Sequence, residues 1–220
     1  MYRCQSSKYH VNLVEHFKHE GNTYIVTRFA RGGDLLSYLT ERGVHRLPEE
    51  EAKQIFHQVV LGVRDMHVQQ ICHRDLKHLN VFLSNNSSSP KVKIGDFGLS
   101  CHLNEGEQII KRAGTIGFMA PEVVMDEPSD FKADIWSLGV MLYALLSSRV
   151  PFSGSTKDET AEKICQAPLS FERSAWKEVS SGCQGLLAQM LEKDQTARLS
   201  IEEVLAHPWF AQNSSKNSSK

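Results

Sequence analysis

The run His73-Arg74-Asp75-Leu76-Lys77-His78-Leu79-Asn80 places a carboxylate, an ammonium group and a carboxamide within one short loop, and Asp96-Phe97-Gly98 adds a second carboxylate farther along the chain. Two acids, one amide and one cation suit a reaction whose transition state spreads negative charge over oxygens. Hard oxygens can hold a divalent cation, a positive group can meet the anionic centre, and an acceptor can aim an attacking hydroxyl. The order is H-R-D-L-x-x-x-N followed by D-F-G. Ala120-Pro121-Glu122 follows beyond an intervening loop. Alone, Asp75 or Asp96 would more often be a turn or cap residue. Three motifs in this order make coincidence a poor explanation.

The elements that must position these groups can be read from periodicity. Residues 23 to 29, TYIVTRF, are rich in β-branched and aromatic types and run into Arg31-Gly32-Gly33-Asp34, which predicts a strand ending in a turn. Pro48 and the acids Glu49 to Glu51 open a helix reaching about His67, with Ala52, Ile55, Phe56, Val59, Val63 and Met66 on one apolar face. Val81–Leu83 and Val92–Ile94 predict a small hairpin joined by the polar loop 84–90. From Ala133 to Leu146 the chain is apolar on nearly every face, the mark of a helix inside a domain, so Asp134 must find buried donors there. Residues 157 to 210 read as further amphipathic helices, and 211–220 as a disordered polar tail.

Composition narrows the function classes. The 220 residues are 40% hydrophobic, enough for a sizeable core, and 25 basic against 26 acidic residues leave a formal net charge of -1. No global field favours nucleic acid or an anionic membrane as partner. No apolar run is long enough to span a bilayer and the first residues lack a signal-peptide core, so the expectation is a soluble cytoplasmic protein with nuclear access open. The five cysteines, Cys4, Cys72, Cys101, Cys165 and Cys183, form no C-x-x-C pair and read as reduced thiols. The N-x-S triplets at Asn85, Asn86, Asn213 and Asn217 read as chance in that setting.

With these motifs in view, residues 10 to 210 resemble the eukaryotic protein kinase family. Gly114-Thr115 before A-P-E, Asp134-Ile135-Trp136-Ser137-Leu138-Gly139, and Arg198 ahead of His207-Pro208-Trp209 extend the match, and SAWKEVSSGCQGLL and ARLSIEEVLAHPWF are similar to the calcium/calmodulin-dependent group. The resemblance implies an α+β fold: a mainly helical C-lobe (30–210) with the last strands and hinge of a truncated N-lobe (1–29). It implies transfer of the γ-phosphate of Mg-ATP to a protein serine or threonine hydroxyl. Asp75 would accept the hydroxyl, Lys77 would meet the γ-phosphate, and Asn80 and Asp96 would hold Mg2+. Arg28 and Ala30 would contact adenine, Asp34 would lie near the ribose, and Phe82 would form the adenine floor. A simple turn is an equal reading of Gly32-Gly33-Asp34. Glu122 and Arg198 would pair beneath the substrate loop, and Asp134 would accept backbone N–H groups of the catalytic loop. Lys77 and Thr115 point to serine or threonine rather than tyrosine.

The sequence also departs from the family. His78-Leu79 stand where Pro-Glu is usual, which removes a carboxylate that could anchor a basic substrate residue and leaves Asp34 as the candidate. No G-x-G-x-x-G loop, strand lysine or partner glutamate precedes the hinge, so the expectation is that these parts are missing from this sequence and that the 220 residues alone bind ATP poorly. A rival reading is a catalytically silent kinase-like binding module. Between Leu99 and Met119 the only hydroxyls are Ser100 and Thr115, while Glu105 and Glu107 carry permanent negative charge. The enzyme is therefore expected to need no phosphate in this loop. A calmodulin-binding helix is not expected in 211–220.

Overall fold

The computed structural model describes residues 4, 6–85, 90–172 and 174–211. Its centre is the helix α4, Lys132–Ser147. The segment is apolar all round, and accordingly Ile135, Trp136, Leu138, Val140, Met141, Leu142, Leu145 and Leu146 are all buried. The long helix α2, Glu49–Val68, presents Ala52, Ile55, Phe56, Val59, Val60, Val63 and Met66 to it, and three acids in its first turn face the positive end of the helix dipole.

The short α3 (Pro121–Val124) packs against α5 (Lys157–Gln166), α6 (Ser181–Met190) packs on α4 and α7 (Ile201–Ala206) on α2, and α8 (Pro208–Ala211) lies against α6 and α7. Glu49, at the start of α2, accepts from Ser180 N and Oγ and from Trp209 Nε1, joining the starts of α2 and α6 to α8. A capping box of Ser200 and Glu203 opens α7. No helix among the described residues is long and apolar enough to cross a membrane.

The described residues form three two-stranded antiparallel sheets. In chain order they begin with β1 (Leu13–His19) paired to β2 (Asn22–Thr27), joined by Glu20 and Gly21 at φ 48° and 76°. That loop has positive φ at both central residues, the geometry that matches strand twist. Helix α1, Leu35–Glu41, follows. Ile71–Cys72 (β3) pairs with Cys101–His102 (β6), and Val81–Leu83 (β4) pairs with Val92–Ile94 (β5). The segment Tyr9 to Val11 runs beside β5, with Ile94 N donating to Tyr9 O and Val11 N to Ile94 O.

Several expectations need correction. The strand expected over 23–29 ends at Thr27: Arg28 N keeps one further bond across the hairpin, to Asn12 O, and Phe29 is exposed. Its partner β1 falls among the N-lobe strands that the resemblance implies for residues 1–29 but carries no periodicity, since its side chains are largely exposed on both faces. Gly32-Gly33-Asp34 is a turn that also starts α1. Asp34 caps that helix, accepting from Leu36 N and Ser37 N at 2.9 Å and from Ser37 Oγ at 2.7 Å. The α4 and β4–β5 expectations match within a residue or two. Most of the 84–90 loop, the triplets at Asn86, Asn213 and Asn217, and the tail beyond Ala211 lie outside the described residues.

Candidate active site

The catalytic-type loop is set by a buried acid. Asp134, in the first turn of α4 and fully buried, accepts from His73 N at 2.8 Å, Arg74 N at 2.9 Å and His67 Nε2 at 2.9 Å. Burial alone would raise its pKa, but the bonds from His67 and His73 hold it below the ordinary carboxylate range. Two consecutive backbone amides can reach one carboxylate because Arg74 adopts φ 72°, a left-handed conformation that costs energy and is held by this clamp. His73 completes the loop from inside: its Nδ1 accepts from Asp75 N at 3.3 Å and its Nε2 donates to Gly95 O at 3.0 Å, which fixes one neutral tautomer.

The clamp presents Asp75. The residue is 8% exposed and its carboxylate is surrounded by three donors. Lys77 Nζ reaches Oδ2 at 2.7 Å, Asn80 Nδ2 reaches Oδ2 at 3.3 Å, and Thr115 Oγ1 donates to Oδ1 at 2.7 Å. Lys77 also meets Thr115 Oγ1 at 2.8 Å. Burial opposes the Asp75 charge, yet Lys77, Thr115 and Asn80 outweigh it and keep the carboxylate ionised at neutral pH. Thr115 can approach this closely because Gly114, at φ 115°, lies against the loop: a Cβ there would sit 2.5 Å from Arg74 O.

Asp96 lies across the loop. It too is left-handed, at φ 55°, is exposed, and accepts one bond, from Gly98 N at 3.3 Å. Gly95 N donates to Asn80 O at 2.9 Å, so the backbone beside Asp96 is tied to the end of the loop that carries Asn80. Asn80 spends its amide N–H on Asp75 O, at 2.8 Å, and on the Asp75 carboxylate, which turns Oδ1 away from that contact. Among the described residues no group of three His, Cys, Asp or Glu side chains could cage a metal alone. Asn80 and Asp96 instead offer two hard oxygens, a donor set that suits Mg2+ when phosphate and water complete its shell.

A cleft of about 690 Å³ opens beside Asp96. Arg28, Ala30, Asp34, Phe82 and Asp96, all named from the sequence, line it together with Val11, Ile25, Thr27 and Gly95. Its mixture of apolar wall and few polar groups is that of a ligand site. Gly95 keeps the floor open, since a Cβ there would meet the Phe82 ring at 2.7 Å and Val11 Cγ1 at 3.1 Å. Lys77 and Asn80 do not line this cleft; they belong to the Asp75 cluster. Asp34 lines it while its carboxylate is engaged in capping α1, and Ser37 and Leu36 hold its pKa down against the effect of burial.

Two further features bear on the site. Arg198, buried, makes a two-pronged pair with Glu122 at 2.6 and 2.8 Å, beneath the turn carrying Thr115, as the sequence suggested. The Arg74 guanidinium donates to Leu99 O at 3.4 Å and Lys111 O at 2.5 Å, bridging both ends of the intervening loop through carbonyls. Sequence reasoning missed His67 as the third partner of Asp134, and Val11 and Thr27 as cleft walls. A histidine at the end of an otherwise apolar helix face was the available signal for the first. The others carry no signal short of the fold.

Comparison with known proteins supports the same assignment. The family described as the protein kinase domain matches residues 1–210. The serine/threonine-protein kinase PEPKR2 of Arabidopsis thaliana is 36% identical over 187 residues, which cover 85% of this chain and 38% of that protein. Death-associated protein kinase 2 of Homo sapiens is 34% identical over 201 residues, 91% of this chain and 54% of that protein. The liver/testis isoform of the phosphorylase b kinase gamma catalytic chain of Rattus norvegicus is 34% identical over 206 residues, 91% of this chain and 50% of that protein. The chain thus spans about half the length, or less, of these curated relatives.

Proposed function

The chain belongs to the protein kinase family, and on that premise we propose that it transfers the γ-phosphoryl group of Mg-ATP to a serine or threonine hydroxyl of a protein substrate. One observation carries the reading: a small alcohol, Thr115 Oγ1, already rests on Asp75 Oδ1 at 2.7 Å with the Lys77 ammonium beside both. A substrate hydroxyl in that place would be aimed by Asp75, which takes its proton as the new O–P bond forms. Lys77, released from Asp75 and Thr115, would meet the charge of the transferring group. Asn80 Oδ1 and the Asp96 carboxylate would hold magnesium, which neutralises phosphate charge when bound.

The adenine and ribose would occupy the cleft of Arg28, Ala30, Asp34 and Phe82, with the Phe82 ring as floor. In this reading residues 30–210 act as the C-lobe and residues 1–29 contribute one edge of the N-lobe. Names of relatives that specify serine/threonine kinases favour the acceptor class. The Arg74 bridge to Leu99 O and Lys111 O supports a loop that is ordered without phosphate, because the guanidinium already has acceptors.

The test is transfer of labelled γ-phosphate, at millimolar Mg-ATP, to a mixed protein substrate. Asp75→Asn keeps the shape but cannot accept a proton, and should lower the rate by about 100-fold or more. Label should appear on phosphoserine or phosphothreonine, and phosphatase pretreatment should leave the rate unchanged. Equal rates for the wild type and Asp75→Asn would refute the assignment of Asp75.

A further inference from the structure

The sequence separates Cys72 and Cys101, and nothing in the composition pairs them. In the fold they stand directly opposite each other, Cys72 on β3 and Cys101 on β6, with Ile71 opposite His102. One rung beyond, Leu103 N donates to Gln70 O at 2.9 Å. Antiparallel rungs alternate, so Cys72 and Cys101 form a hydrogen-bonded pair whose Cα atoms lie about 5.5 Å apart. That separation falls within the roughly 4.4–6.8 Å that a disulfide bridges, while the Cβ atoms of a hydrogen-bonded pair, about 5.5 Å apart, must close to roughly 3.5–4.5 Å, so the bond forms as these two short strands shift and is readily reduced. Opposed residues point to the same face of the ladder, and the two cysteines pack in one small cluster with Leu103, Ile109 and Phe131. Both are free thiols. The other three cysteines lie on none of the paired strands.

We propose that Cys72 and Cys101 are a disulfide site that reversibly ties the catalytic loop to the segment following Asp96-Phe97-Gly98. The inference rests on strand register and does not depend on the kinase reading. Cys72 immediately precedes His73, whose amide Asp134 clamps, while Cys101 lies just past the turn that carries Asp96. The covalent loop would therefore enclose Asp75, Lys77, Asn80 and Asp96. In the reduced protein the same junction is held by two short strands.

The accessibilities assign an order to the chemistry with a peroxide as oxidant. Cys72 is fully buried and Cys101 half-buried beside the Arg74 guanidinium, so Cys101 reacts first. Its thiolate attacks one peroxide oxygen, the O–O bond breaks, and sulfenic acid and hydroxide form; the hydroxide takes up the thiol proton as water. The Cys72 sulfur then attacks the Cys101 sulfur, the S–O bond breaks, and a second water leaves with the Cys72 proton. Two thiols and one peroxide become one disulfide and two waters, with two electrons passing from sulfur to oxygen. Burial raises both thiols above their ordinary range, Arg74 offsetting this in part at Cys101, so the first step is slow at neutral pH and quickens as pH rises.

The experiment treats the full folded chain with dilute hydrogen peroxide, blocks remaining thiols with N-ethylmaleimide, and maps non-reduced peptides by mass spectrometry. The expected product is a peptide pair joined through Cys72 and Cys101, lighter by two hydrogens, about 2 Da, and lost on adding dithiothreitol. In Cys72→Ala, Cys101 should instead persist as a sulfenic acid trapped by dimedone. Should that variant fail to fold, the wild-type map decides by itself. Cys101 found unreacted, overoxidised without a partner, or joined to Cys4, Cys165 or Cys183 would overturn the proposal.

Discussion

The catalytic loop and the β1–β2 hairpin, whose Ile25 and Thr27 line the cleft, are built on opposite principles. Residues 72–80 are held from three sides: by Asp134, itself braced by His67, by the Gly95 carbonyl, and by the Thr115 hydroxyl. The hairpin holds chiefly to itself. Its strands pair with each other over seven and six residues, while Val14 at 59% and Ile25 at 60% exposure show how little else covers them. The difference teaches that the geometry of the loop is carried by one buried carboxylate, whereas the wall of the cleft is carried by strand ends and the turn at Gly33-Asp34.

The contrast can be broken most severely at Asp134. Asp134→Ala leaves two backbone amides and His67 without their acceptor in a dry site, and should cost about 3–5 kcal/mol in urea unfolding. It should also release Arg74 from its left-handed conformation.

A smaller effect should come from acid. Burial lowers the pKa of His78 to about 4 from 6.5, with the bond to Met141 O opposing only in part. A depressed histidine stays neutral in the fold, so its contribution is fully present above pH 6.5 and is lost as pH falls toward 4. About 1–3 kcal/mol should disappear across that window. Burial lowers His10, His57 and His207 as well, so His78→Gln should flatten the slope without abolishing it. An unchanged slope in that variant would remove His78 from the account.

The least effect is expected on the hairpin. Val14→Thr keeps the β-branched shape on an exposed strand face and should change unfolding free energy by no more than about 0.5 kcal/mol. A loss comparable to that of Asp134→Ala would mean that the hairpin is as integral as the catalytic loop.

What the sequence made legible follows the same division. The helices α2 and α4 were readable because burial shapes their apolar pattern; a lone acid in an apolar helix called for buried donors at Asp134, and the family resemblance named them as backbone amides of the loop. The motifs carrying Asp75, Asn80 and Asp96 were readable because their residue types stand in a set order, and the structure joins Asn80 to Asp75 while the Asp96 carboxylate accepts from Gly98 N. The strand β1 was not, since VEHFKH faces outward on both sides and burial leaves no mark on it. The helix α1 was hidden because its cap, Asp34, also reads as a turn residue. The opposition of Cys72 and Cys101 was beyond sequence because it depends on the register of two strands of two residues each.

Hydrogen exchange with and without Mg-ATP tests both halves of the comparison together. The account predicts that amides of residues 71–83 exchange slowly in either condition, while those of 22–34 exchange fast alone and slow down with nucleotide, along with 95–98. Catalytic-loop amides that exchange as fast as the hairpin, or nucleotide protection that misses Ala30, Asp34, Phe82 and Asp96, would contradict it.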